Sequence, residues 1–190
     1  MGLFDYILEK TLKVPPEWLY RHECLEKNPQ EGDTIATLPS GTPVFCHFTL
    51  NVAEHSGICI GDRIVHLDGG GQVLSSTPKE FLARLDGNNL AFSIYYAALG
   101  PNQPLAKSDI AIRALEAVGN HRQYHLLADN CHGFTIRCIN GKSKRLAALS
   151  IREVEMAITS VFGTDEWRWC RWIGWKQQRV EEDRFPACHK

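Results

Sequence analysis

The apolar and polar alternation is clearest between residues 54 and 67. Glu54-His55-Ser56-Gly57-Ile58-Cys59-Ile60 and Arg63-Ile64-Val65-His66-Leu67 flank Gly61-Asp62, a pair that suits a two-residue hairpin loop. That loop sets Ile60 opposite Arg63, Cys59 opposite Ile64, Ile58 opposite Val65 and Gly57 opposite His66. A period of two then places His55, Gly57 and Cys59 on one face with Ile64 and His66. His55 and His66 become diagonal neighbours, with backbones about 7–8 Å apart. Gly57, opposite His66, leaves room for the rings.

Other strands and helices follow from the same reasoning. Leu3, Phe4, Ile7, Leu8 and Leu12 share a helical face, and Val14-Pro15-Pro16 stops that helix. A second helix from Pro16 carries Trp18, Leu19, His22 and Leu25, so residues 1–30 read as a helical arm. Short strands are expected over Thr34–Leu38, around Val44–Leu50, at Val73-Leu74 and over Leu90–Tyr96. Thr77-Pro78-Lys79-Glu80 is a capping box that starts a helix running through Leu85. Ser108 and Asp109 cap a helix with Ile112, Leu115 and Val118 as its inward stripe, ended by Gly119. Asn130 is a candidate N-cap for a helix that Cys131 opens and Gly141 closes. A further helix spans Ser150 to Phe162, with Val154, Ala157, Ile158 and Val161 inward. The last part interleaves Trp167, Trp169, Trp172 and Trp175 with Arg168, Arg171, Lys176 and Arg179. The sum is a chain that mixes strands and helices.

Composition removes several function classes. The chain has 190 residues and a formal charge of −1, which fits one domain and gives no basic excess for neutralising phosphates, so no nucleic-acid partner is expected. No apolar run reaches about 18 residues, so no transmembrane segment is expected. The first residues do not read as a secretory leader. Seven cysteines, scattered and odd in number, point to free thiols in a reducing, cytoplasmic setting. No Cys-x-x-Cys pair occurs, and neither a metal nor another cofactor is expected. The Trp/Arg segment suits either a packed cap over the sheet or peripheral contact with a membrane through Trp167, Trp169, Trp172 and Trp175.

Chemistry enters with Cys131. A thiol in the first turn of a helix sits at the positive end of the helix dipole, which favours the thiolate. Free cysteines are also common core residues, so the thiol needs a base to become a candidate. The histidine face of the hairpin supplies one. Cys131 is then the nucleophile, His55 the general base and acid, and His66 the group that orients it. Backbone N–H groups at the helix start, beginning with that of Cys131, are the natural oxyanion donors.

These residues carry a resemblance. The segment Glu54 to Leu67 resembles the histidine box of the lecithin:retinol acyltransferase family. Tyr124-His125-Leu126-Leu127-Ala128-Asp129-Asn130-Cys131 resembles that family's tyrosine–double-leucine–asparagine–cysteine segment. The resemblance covers residues 31–141, which makes that stretch the catalytic core and residues 142–190 a C-terminal helix and Trp/Arg-rich segment packed on it. It implies an α+β class with an antiparallel β-sheet packed against helices, in a circularly permuted papain-like fold related to the NlpC-type peptidases. It also implies nucleophile Cys131, base His55 and third histidine His66, with Tyr124, Asn130 and Gly133 near the site in substrate-binding or structural roles. Family members cleave an acyl ester of a glycerophospholipid, hold the acyl group as a thioester, and pass it to water, an alcohol or an amine. The expected activity is therefore that of a cysteine-dependent acyltransferase or lipid-ester hydrolase with a phospholipid-like acyl donor. A cysteine peptidase or amidase on the same fold, and a non-catalytic interaction module, are the alternatives.

Three places depart from the family pattern. Cys131-His132-Gly133-Phe134 stands where the family usually has Cys-Glu-His-Phe. A glycine in the first turn costs about 1 kcal/mol against alanine, and close approach of a ligand to its backbone is one reason to keep it. The Trp167–Trp175 segment stands where several animal members carry a hydrophobic anchor. Residues 1–30 match nothing in the family.

Overall fold

The computed structural model describes residues 35–47, 54–83, 93–121, 130–141, 148 and 150–175. The helical arm over residues 1–30, the residues on either side of Tyr124 and Tyr124 itself, and the basic stretch 142–145 lie outside the described residues.

Among the described residues seven strands form one sheet: β1 Thr42–His47, β2 Glu54–Ile60, β3 Arg63–Leu67, β4 Val73–Ser76, β5 Ile94–Gly100, β6 Gln103–Pro104 and β7 Arg168–Trp172. The order is β4-β3-β2-β1-β5-β6, with β7 also paired to β5, and every pairing is antiparallel. Among the described residues four helices join it: α1 Pro78–Leu82, α2 Ser108–Ala117, α3 Cys131–Asn140 and α4 Ile151–Phe162. The architecture is thus mixed α+β, as the pattern of residues implies.

The sheet is covered on both faces, and neighbouring residues of a strand serve different cores. Phe45, Ile58, Val65, Tyr95 and Ala97 meet Ile110 and Ala114 of α2, Phe134 of α3 and Val154 and Ile158 of α4. Val44, Cys46, Cys59, Ile64, Ile94 and Tyr96 meet Leu38 and Phe81 on the other side. The period of two explains the split, since successive Cβ atoms point to opposite faces. With both faces covered, β1 is a continuous buried run from Thr42 to Cys46.

The hairpin has the expected register, with Ile60 paired to Arg63, Cys59 to Ile64 and Ile58 to Val65. Gly61 takes φ 61°, the left-handed conformation that its place in the loop requires. Other expectations need correction. Residues 35–38 form no strand; Trp172 Nε1 instead donates to the Ile35 carbonyl at 2.8 Å and ties that segment to β7. The expected strand at Leu90–Tyr96 begins at Ile94 and runs on to Gly100, residues 90–92 lying outside the described residues. The capping box of α1 is present, but that helix ends at Leu82 rather than Leu85.

The largest correction concerns α2. Its buried residues are Ile110, Ala111, Ala114 and Ala117, and its N-cap is Lys107 rather than Ser108. Ile112 and Leu115, expected inward, are 54% and 51% exposed. Alanines let the helix approach its neighbours closely, and Arg113, on the same turn, reaches across to donate to the carbonyls of Cys138 at 2.6 Å and Ile139 at 3.0 Å. A cation on those last carbonyls satisfies groups that α3 leaves open and complements its dipole.

The tryptophan segment is part of the fold. β7 is a sheet strand rather than a cap laid over the sheet, and Trp167, Trp169 and Trp172 are buried. Each indole N–H has a partner: Thr159 Oγ1 for Trp167, Glu155 Oε1 for Trp169 and the Ile35 carbonyl for Trp172. Those three rings therefore do not face a membrane surface, and Trp175 is half-buried against the core. Among the described residues, no helix is long and apolar enough to cross a membrane.

Candidate functional site

Asn130 has extended backbone, and its side chain accepts from the Gly133 N–H at 2.9 Å. Its amide also donates to the Ala148 carbonyl. Satisfying an orphan first-turn donor in this way is worth about 1 kcal/mol. Gly141 closes α3 at φ 67°. Every residue from Cys131 to Ile139 is buried, so α3 is a central helix whose polar side chains all need partners. The Gly133 N–H is taken by the cap and is not offered to a ligand.

Cys131 opens α3, and its Sγ lies 3.9 Å from the Glu54 carbonyl oxygen. That places the thiol at the beginning of β2, one residue from His55. The two histidines meet as the hairpin register requires. His55 Nε2 lies 3.3 Å from His66 Nδ1, and their ring centroids are 5.1 Å apart at 78°. Phe81 of α1 packs on both rings, at 4.9 Å and 5.3 Å between centroids. His66 Nε2 continues to Ser76 Oγ at 2.9 Å. The chain His55–His66–Ser76 thus crosses β2, β3 and β4 on the face that carries Phe81.

Ser76 was not singled out by sequence. The signal is the β3–β4 register, in which Leu74 faces His66 and Ser76 faces Ile64, placing Ser76 diagonal to His66 on the same face. That register becomes readable only once the turn at residues 68–71 is fixed.

A second polar group lies behind Cys131. His132 Nδ1 is 2.9 Å from Ser56 Oγ. Ser56 Oγ is 2.9 Å from Thr135 Oγ1, and Thr135 Oγ1 donates to the Cys131 carbonyl at 3.0 Å. Glu54 Oε2 accepts from the Ile151 N–H at 2.8 Å, at the start of α4. The same oxygen is 4.0 Å from His132 Nε2. Burial pushes the His132 imidazole down to about 4, against a smaller upward pull from Glu153. Glu54 is the nearer carboxyl, but 4.0 Å is beyond hydrogen-bond reach. At neutral pH the contact is a neutral imidazole beside a carboxyl, not an ion pair.

The remaining thiols of the described residues are buried, as Cys131 is. They are Cys46, Cys59, Cys138 and Cys170. Burial, with Asp62 adding to it, pushes Cys59 up to about 12, and its Sγ faces the Gly61 carbonyl at 3.3 Å. Such a thiol stays protonated and packs as core. Among the described residues, no group of three or more His, Cys, Asp or Glu is placed to hold a metal. Comparison of the chain with protein-family models, with curated proteins and with solved structures finds no match.

Proposed function

We propose that this protein is a cysteine-dependent acyltransferase or lipid-ester hydrolase of the lecithin:retinol acyltransferase type, on a circularly permuted papain-like fold. The observation that carries the reading is the His55–His66 contact at 3.3 Å with the Cys131 thiol against the backbone of Glu54, one residue away. The sequence resemblance over the same two segments supports it.

The chemistry follows from the hydrogen-bond chain. If His55 Nε2–H donates to His66 Nδ1, the His66 proton is on Nε2 and is donated to Ser76 Oγ. His55 Nδ1 is then the nitrogen that takes the proton of Cys131. The thiolate attacks the ester carbonyl, and the oxyanion is met by the N–H of Cys131, since the Gly133 N–H is engaged by the cap. Collapse forms the thioester, and the alcohol leaves with the proton from His55. Water, an alcohol or an amine then attacks the thioester. His55 takes the acceptor's proton and returns it to the sulfur as the acyl product leaves. His66 keeps the His55 ring in the required tautomer, and Ser76 does the same for His66.

The test is mass spectrometry of the intact protein after incubation with phospholipid. An acyl mass is expected on the peptide that contains Cys131, and none on the Cys131→Ala protein. Wild-type turnover by Cys131→Ala overturns the assignment. Turnover of peptides with no acyl transfer from lipid would move the same site to an amidase.

A further inference from the structure

The departure at His132 is matched by a built arrangement around it. His132 is buried, and it is one residue from the thiol. Ser56 Oγ has three polar atoms within reach: His132 Nδ1 at 2.9 Å, Thr135 Oγ1 at 2.9 Å and the Cys131 carbonyl at 3.4 Å. It has only one proton to give. Thr135 gives its own proton to the Cys131 carbonyl at 3.0 Å. The 2.9 Å contact between the two hydroxyls therefore needs the Ser56 proton between them. Ser56 must then accept from His132, which fixes the His132 proton on Nδ1. Nε2 is left with its lone pair toward Glu54 Oε2, and the 4.0 Å separation fits two acceptors that do not bond. One proton order satisfies the three contacts of 3.0 Å or less, leaving only the 3.4 Å approach of Ser56 Oγ to the Cys131 carbonyl without a proton, and it runs from His132 through Ser56 and Thr135 to that carbonyl.

We propose that His132 is a positioning residue for Cys131, starting a relay through Ser56 and Thr135 that holds the nucleophile's own peptide group against β2, the strand that carries His55. The proposal rests on the reading of Cys131 as nucleophile. Ser56 and His55 are adjacent on β2, so the relay and the base are set by the same stretch of strand. Glu54 strengthens the link, because its carbonyl faces the thiol and its carboxyl holds the start of α4. Burial keeps the His132 ring neutral, so it serves as a donor without adding a charge beside the thiolate.

The experiment needs no substrate. The full chain is alkylated with iodoacetamide over a range of pH, and the rate at Cys131 is followed by site-resolved mass spectrometry. Thermal melting is run alongside. Thr135→Val and Ser56→Ala each remove one proton donor and little volume. His132→Leu removes the first donor, and His132→Asn keeps an N–H where Nδ1–H lies. Wild-type Cys131 is expected to react faster than a free thiol and to retain that reactivity at lower pH. Thr135→Val, Ser56→Ala and His132→Leu are expected to slow it by about tenfold, since a displacement on the order of 1 Å costs up to ~10²-fold. His132→Asn should recover most of the rate. A reactive wild type whose pH–rate profile is unmoved in Thr135→Val and Ser56→Ala overturns the relay alone. So does His132→Asn behaving as His132→Leu. A wild-type Cys131 no more reactive than a free thiol overturns the nucleophile assignment, and the relay falls with it.

Discussion

His132 makes the stability of the fold sensitive to mild acid, and the size of that effect follows from its burial. The ring titrates near its ordinary 6.5 in the unfolded chain and at about 4 in the folded one. Between those values the unfolded chain binds more protons, so stability rises with pH through that window. The contribution is fully present above the unfolded value and is lost as pH falls through 6.5 toward 4. Each unit of difference is worth about 1.4 kcal/mol, so the loss approaches ~3 kcal/mol below pH 4 and is about 2 kcal/mol between pH 7 and pH 4.5. The carboxylates of the chain lose stability in acid as well. The perturbation that isolates His132 is therefore His132→Asn, which keeps an N–H for Ser56 and does not titrate. At pH 7 the variant should be less stable by roughly 1 kcal/mol for an imperfect hydrogen bond. As the pH falls the gap should close, and the two curves should cross between about pH 5.5 and pH 6. Glu54 and Glu153 face the same ring, so the slope reports the coupled group rather than one isolated proton. The assay is urea unfolding at a series of pH values, with the two proteins compared at each. Parallel curves from pH 7 to pH 4.5 would refute the neutral, buried assignment of His132.

Two further substitutions probe the sheet face that holds His55 and His66. Gly57→Ala places a methyl 2.8 Å from both Ile64 Cγ2 and the Val65 carbonyl, and 3.1 Å from His66 Cβ. One of its neighbours is backbone, so the sheet must shift, and a loss of about 1–3 kcal/mol is expected in urea unfolding; an unchanged midpoint would show that β2 and β3 part at no cost. Ser76→Ala removes the Ser76 hydroxyl that meets His66 Nε2, and the lost buried hydrogen bond costs about 1 kcal/mol. Its alkylation rate at Cys131 should also fall, whereas wild-type stability and reactivity together would remove Ser76 from the site.

The parts of the fold that were readable share a local cause. Gly61-Asp62 fixes the hairpin register with two residues, and every pair along β2 and β3 follows from it. Asn130 and Gly141 bound α3 by cap chemistry that acts within one turn. The contact between His55 and His66 was legible for the same reason, since a register and a period of two are enough to bring them together. The stripe of α2 failed because side-chain size and burial part company there. Ile112 and Leu115 are the larger apolar residues, but Ala111, Ala114 and Ala117 permit the close approach, so the helix turns its small face inward. Leu38 is buried without belonging to a strand, because its segment is held by a side chain 137 positions away from Ile35.

The same distinction explains why the region behind the thiol was not legible. Ser56 lies 76 positions from His132 and 79 from Thr135, and Glu54 lies 97 from Ile151. No periodicity within β2 marks Ser56 as different from any other inward residue of a half-polar strand. Read alone, His132-Gly133 is a weakening of the first turn of α3. In the folded chain Gly133 receives the cap and His132 begins a proton order that ends on Cys131. A helix buried all round cannot leave a histidine and a threonine unpaired, and a strand beneath it that carries a serine between Glu54 and Ile58 supplies the missing partner. His132 is thus tied by packing to the strand of the proposed base, which is why its substitution should be felt at the thiol before it is felt in the fold.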